Sequence, residues 1–265
     1  MKNIILIGLL LASTLAYSQT SFIKYNEEDI LINGVTTTVA NSQLKGDIKQ
    51  IKKSWLKFVK VNLDQKMSEK DDVLSATEVV INQITDKRGD LLVYIYNKDN
   101  DVLLNVAYKL GYDVFLNSEK YPEEFKKLQS YLEYFTYNYY NDYLPSYIKN
   151  KKKSLKVLTK ENRKAEKNVK KSNKCIGKFD RKNAKYTKRI NKLIEKGDSA
   201  SEKLVKYKAK IADYDKKKEY YQELLKVSSE IITTLSPKIE ATKEEINSAN
   251  LTLIEVRSKV KSFTK

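Results

Sequence analysis

Two runs of heptad spacing fill the C-terminal half of this chain and leave it few ways to fold. Leu155, Leu158, Asn162, Ala165, Val169, Ser172, Ile176, Phe179, Asn183, Tyr186, Ile190 and Leu193 alternate steps of three and four without a slip, and nine of the twelve are apolar or aromatic. After Gly197-Asp198-Ser199 the spacing restarts at Leu204 and holds phase over eighteen positions to Phe263. A 3.5-residue period makes a narrow apolar seam that needs a second helix to cover it. One short turn between two such seams predicts an antiparallel coiled-coil helical hairpin over residues 150–265, with its turn near 197–199. Asn162 and Asn183 at seam positions would fix its register. Pro237 lies inside the second seam. The unbroken phase favours a kink there over a third helix starting after Ser236.

Residues 19–149 alternate strand-like and helix-like patterns. "VTTTVANS" (Val35–Ser42) is rich in β-branched residues and follows the turn signal Asn33-Gly34. In "GDIKQIKKSWLKFVK", Ile48, Ile51, Trp55, Phe58 and Val59 share one helical face. Four strand candidates follow, "LDQKMSE", "TEVVINQI", "DLLVYIYNKD" and "DVLLNVAYKL", the last two joined by a hairpin turn at Lys98–Asp101. Pro122 then suits a first helical position, with Glu123 and Glu124 complementing the helix dipole. The expected class is α+β: a small antiparallel sheet in β-α-β4-α order with its helices on one face. The order of elements resembles TBP-like or helix-grip topologies.

"YLEYFTYNYYNDYLPSY" (Tyr131–Tyr147) holds seven tyrosines in seventeen residues. One face of its helix carries Phe125, Leu128, Leu132, Phe135 and Tyr139, which suit the sheet. Tyr134 and Tyr137 project elsewhere, where the end of the second seam should return with Val256, Val260 and Phe263. The expected role is a structural aromatic interface, since a helix apolar nearly all round is buried on both sides. A glycan platform and a membrane belt are the alternatives.

Met1–Ser18 reads as a secretory signal peptide. Its apolar run, Ile4–Leu11, falls short of the ~20 residues that span a bilayer. The expected location is periplasmic or extracellular, free or peripheral on the envelope, with no transmembrane segment after cleavage. The chain has no histidine, which removes histidine triads, histidine general bases and the usual histidine-containing zinc sites. Its single cysteine, Cys175, can form no internal disulfide and is expected as a buried thiol. None of its seven glycines forms a phosphate-cradling motif, and the adjacent carboxylates show no cleft-like spacing. No catalytic residue, cofactor site or metal site is expected.

Charge is concentrated. Between Lys149 and Lys196 lie twenty Lys or Arg against four acidic residues, so this segment carries +16 of the chain's +17. Such a concentration attracts polyanions. Lys151, Lys152, Lys153, Lys170, Lys171, Lys174, Lys178, Arg181 and Lys182 are the candidate polyanion-binding residues. Export points away from nucleic acid and toward anionic envelope material. An acidic protein or a second copy of the chain is the other candidate partner.

The "AYSQ" cut site, "IKQIKKSWLKF", "YPEEFKKL" and the lysine-rich hairpin resemble uncharacterised exported proteins of the Bacteroidota, a group that implies no activity. Residues 150–265 are also similar in style to the Skp/OmpH periplasmic chaperones, exported basic proteins whose helical prongs hold unfolded outer-membrane proteins. The expectation is a non-enzymatic exported binding or scaffold protein. A holdase-type chaperone is the alternative reading, and an envelope glycan hydrolase a second.

Overall fold

The computed structural model describes residues 24–32, 34–112, 114–198 and 200–263. The segment expected as a signal peptide, Asn33 of the first turn signal and Ser199 of the expected hairpin turn lie outside them. The fold is α+β, with a seven-stranded antiparallel sheet and three helices among the described residues. The chain divides into two compact units: residues up to Tyr147 together with those from Ser248, and Ile148–Asn247.

The first unit holds the sheet. Its strands are β1 (Lys24–Ile32), β2 (Val35–Leu44), β3 (Ser68–Lys70), β4 (Val73–Val79), β5 (Gly89–Lys98), β6 (Asp101–Gly111) and β7 (Val114–Phe115). They pair in the order β1-β2-β6-β5-β4-β3, with β7 on β6. Helix α1 (Ile48–Leu63) follows β2, and α2 (Pro122–Glu195) follows β7. The expected β-α-β4-α order is therefore corrected to two strands, a helix, five strands and a helix. β1 escapes a pattern search because Glu27-Glu28-Asp29 breaks its alternation. In the sheet Glu28 and Asp29 are cross-strand partners: Asn41 Nδ2 donates to Glu28 at 2.9 Å and Thr38 Oγ1 to Asp29 at 2.7 Å, and Glu27 accepts from Ser118 Oγ at 2.6 Å. The strand expected at "TEVVINQI" starts earlier, at Val73, and ends at Val79. A bulge between Ala76 and Val79, with Glu78 at φ 54°, shifts its register. Of "LDQKMSE" only Ser68 and Glu69 are extended, within β3. The β5–β6 hairpin closes where expected, Lys98 opposite Asp101, with Asp99 at φ 55°.

Register places Leu74, Val93, Val106 and Ala40 side by side on one face, with Ile95, Leu104 and Ser42 two residues along. α1 meets this face beside Leu74 and Ile95, and α2 meets it where Thr136 Oγ1 bonds Ser42 Oγ at 3.1 Å. Between them Trp55, Phe58, Phe125, Leu128, Leu132 and Phe135 are buried. The rings pack edge to face, Trp55 lying 4.7 Å from Phe135 and Phe58 5.3 Å from it. On the opposite face Val39, Ala107 and Phe115 make a smaller cluster.

The link from β2 to α1 is clamped by the tyrosine stretch. The Lys45 amide donates to Tyr140 Oη at 2.9 Å, and Tyr139 Oη donates to the Lys45 carbonyl at 2.8 Å. Asp47 then caps α1 by accepting from the Lys49 and Gln50 amides. Gly46 sits between at φ 138°, and a Cβ there would overlap the Tyr139 hydroxyl. That hydroxyl is bonded and its ring is buried, so it has nowhere to retreat. Gly46→Ala is expected to cost ~2–3 kcal/mol in strain and overpacking. A urea midpoint equal to the wild type would show that the link yields freely.

α2 is one helix from Pro122 to Glu195, and it passes through Pro145. α3 (Glu202–Phe263) likewise passes through Pro237 as one helix, the outcome the unbroken phase favours. In the second unit, contacts between α2 and α3 run in opposite chain directions. Lys151 pairs with Glu245, Asp180 with Lys218 at 2.6 Å, Asn183 with Asp215 at 2.6 Å, and the Tyr186 and Tyr207 rings lie 5.4 Å apart. Every seam position of this unit is buried or half-buried. α2 ends in a Schellman-type cap: Gly197 at φ 75°, and the Asp198 amide donating to the Leu193 carbonyl at 3.0 Å.

Candidate functional site

The seam decides which lysines reach solvent. With Leu155 to Leu193 turned toward α3, the opposite side of α2 is formed by residues about two positions from each seam residue, half a helical turn away. There the cations are periodic too. Lys160, Lys164, Lys167, Lys171, Lys174, Lys178, Arg181, Lys185, Lys188 and Lys192 alternate steps of four and three without one exception, and all ten are exposed. At 1.5 Å per residue this ladder runs ~48 Å, with a cation every ~5 Å along the axis. The four acidic residues of the segment, Glu161, Glu166, Asp180 and Glu195, all fall off it.

The candidates named from sequence divide by this geometry. Lys171, Lys174, Lys178 and Arg181 are rungs. Lys153 is in phase but is separated from the ladder by Val157. Lys152 and Lys170 are exposed beside the ladder's line. Arg181 is steadied by its own helix, Nε donating to the Gly177 carbonyl at 3.1 Å. Lys151 and Lys182 turn the other way. Lys151 continues the seam and pairs with Glu245, and Lys182 Nζ lies 4.7 Å above the Tyr214 ring. Neither is a solvent-facing cation of the ladder. The rungs missed by the sequence reading, Lys160, Lys164, Lys167, Lys185, Lys188 and Lys192, carry a signal that was available: the heptad frame of the seam, applied to charge instead of apolarity.

No family model, curated protein or solved structure matches the chain. The chemistry of the ladder is set by its own surroundings. Lys171, Lys174 and Lys178 have no ion-pair partner among the described residues. Toward α3 the cations are instead absorbed by rings: Arg189 lies 5.6 Å from the Tyr186 centroid and Lys210 5.2 Å from it. The Lys210 ammonium also donates to the Tyr186 hydroxyl at 3.3 Å and, with Arg189, holds its pKa below the usual tyrosine value. One side of the helix thus engages its cations within the unit and the other presents them to solvent.

The aromatic candidates lie together in the first unit. The Phe263 ring is 5.2 Å from Tyr134 and 6.1 Å from Tyr137; Val256 is fully buried and Val260 half-buried. Tyr131, Tyr137, Tyr139 and Tyr140 are buried. Cys175 is a half-buried free thiol. No helix among the described residues is long and apolar enough to cross a membrane.

Proposed function

We propose that this chain is an exported, non-enzymatic binding protein whose two long helices form a coiled-coil hairpin and whose cation ladder docks anionic material of the cell envelope. The observation that carries the reading is the unbroken ladder of ten exposed cations opposite the seam. Like charges three or four residues apart each destabilise a helix by ~0.2–0.5 kcal/mol, so the nine steps of the ladder together oppose folding by ~2–4 kcal/mol. Solubility asks for a net charge of only ~2–8 on a small domain. A periodic excess that weakens the free helix is relieved when an opposite array is laid along it. Nine of the ten ladder positions are lysine, whose ammonium binds as a point charge without the directional fork of arginine. That suits an array of phosphates or carboxylates recognised by charge density.

Co-sedimentation of residues 19–265 with isolated envelopes tests this. Binding is expected at low salt and release at ~1 M salt, where the Debye length falls to ~3 Å. Retention at high salt, or no binding at either, would remove the ladder as the working surface.

A further inference from the structure

The first unit holds a cavity of about 190 Å³ between α1 and α2. Its apolar lining is Val61 and four rings: Phe58 from α1, and Tyr134, Phe135 and Tyr139 from α2. Tyr134 is half-buried and offers its ring to the cavity, and the other three rings are buried behind it. These rings are fixed before any ligand arrives. Phe135 packs on Trp55, Phe58 packs 5.4 Å from Tyr134, and Tyr139 is tied to the Lys45 carbonyl. Five polar side chains complete the lining: Ser54, Lys57, Asn62, Asn138 and Asp142. Asn62 and Asn138 each give one amide hydrogen to the carbonyl four residues back, at 2.8 and 2.7 Å. Their amide oxygens and second hydrogens remain unengaged. Ser54, Lys57 and Asp142 have no hydrogen-bond or ion-pair partner among the described residues.

We propose that this cavity binds one sugar ring of a glycan. The lining has the two kinds of surface that a sugar ring presents. Its C–H face carries slight positive charge and would rest on the negative face of the half-buried Tyr134 ring. Its hydroxyl edge donates and accepts at once, and here it meets acceptors on Asp142, Asn62 and Asn138 and donors on Lys57, Ser54 and the two amides. An apolar ligand would cover the half-buried Ser54 and Asn138 without bonding them. A phosphate would meet the Asp142 carboxylate. Asp142 is also the only carboxylate in the lining, and glycoside hydrolysis ordinarily uses a pair. The site therefore holds a sugar without cutting it. The proposal does not rest on the ladder, whose residues all belong to the other unit.

Trp55, the only tryptophan, packs against Phe135 and makes its emission a local probe. Residues 19–265 are titrated with neutral mono- and oligosaccharides at ~1 M salt, which silences the ladder. A saturable change in emission is expected. Asp142→Ala and Lys57→Ala, both at exposed positions, should weaken it by ~10-fold or more, the loss of one hydrogen bond to a charged group, while leaving the urea midpoint unchanged. Three results would overturn the proposal: no response to any neutral sugar, equal affinity in both variants, or binding confined to acidic glycans and abolished by salt. The last would assign glycan binding to the ladder alone.

Discussion

Glutamine at Lys167, Lys171, Lys174, Lys178, Lys185 and Lys188 is expected to lower affinity for vesicles containing anionic lipid by ~10²- to 10⁴-fold at low salt. The range follows from ~1 kcal/mol per lysine at an anionic surface, reduced because a straight ladder does not press every rung equally. A second variant separates position from net charge. Lys203, Lys206, Lys208, Lys216, Lys226 and Lys238 lie exposed on α3, and their replacement removes the same six charges. That control should weaken binding far less. Equal losses in the two variants would reduce the ladder to a share of the overall field. The ladder variant should also melt at a higher temperature in the absence of vesicles, because the repulsion along α2 is gone.

The sheet-bearing unit is expected to lose stability in alkali, beginning near pH ~10. Tyr131, Tyr139 and Tyr140 each have a pKa raised well above the usual tyrosine value. Burial is the largest cause in all three. Tyr134 adds to it at Tyr131, and Tyr143 first among the neighbours at Tyr139. At Tyr140 the hydrogen bond from the Lys45 amide pulls down against burial, and Tyr143 and Asp101 push up. The sign follows directly. The unfolded chain releases these protons near the ordinary pKa of ~10 while the folded chain keeps them, so the folded state binds more protons and loses stability as pH rises. The full contribution is present below pH ~10. Above it each phenol removes at most ~1.4 kcal/mol per pH unit, so three acting together remove at most ~4. Urea midpoints followed by the Trp55 emission maximum, from about pH 8 to about pH 11, measure this across the ordinary tyrosine range. A flat midpoint would show that water reaches these hydroxyls. Tyr140→Phe should lessen the slope.

What could be read in the sequence depended on whether one period governed the residues. α1 was legible because Ile51, Trp55, Phe58 and Val59 repeat on a single face, and those four are its buried residues. The β5–β6 hairpin was legible because alternation runs up to a turn that tolerates positive φ. β1 was not, since Glu28 and Asp29 take their meaning from Asn41 and Thr38 across the strand pair, and Glu27 from the distant Ser118. β4 was displaced because a bulge at Glu78 shifts the side-chain phase within the strand. The ladder was half legible. Density drew attention to the runs at Lys151–Lys153 and Lys170-Lys171, but density does not separate Lys151, which faces Glu245, from Lys174, which faces solvent. The cavity had no linear signal: Lys57 and Asp142 stand far apart in the chain and meet only through packing of α1 on α2.

In α2 the same stretch of chain is written twice, once in apolar residues and once in cations, in a common frame of seven. That sharing limits how its length can drift. Loss or gain of one residue between Lys160 and Lys192 would swing everything beyond it by about 100° around the axis, carrying rungs into the seam and seam residues into water. Only whole heptads pass without such a collision, and each adds or removes two cations at a stroke. Relatives of this chain are therefore expected to differ in helix length by multiples of seven, with their charge changing in even steps.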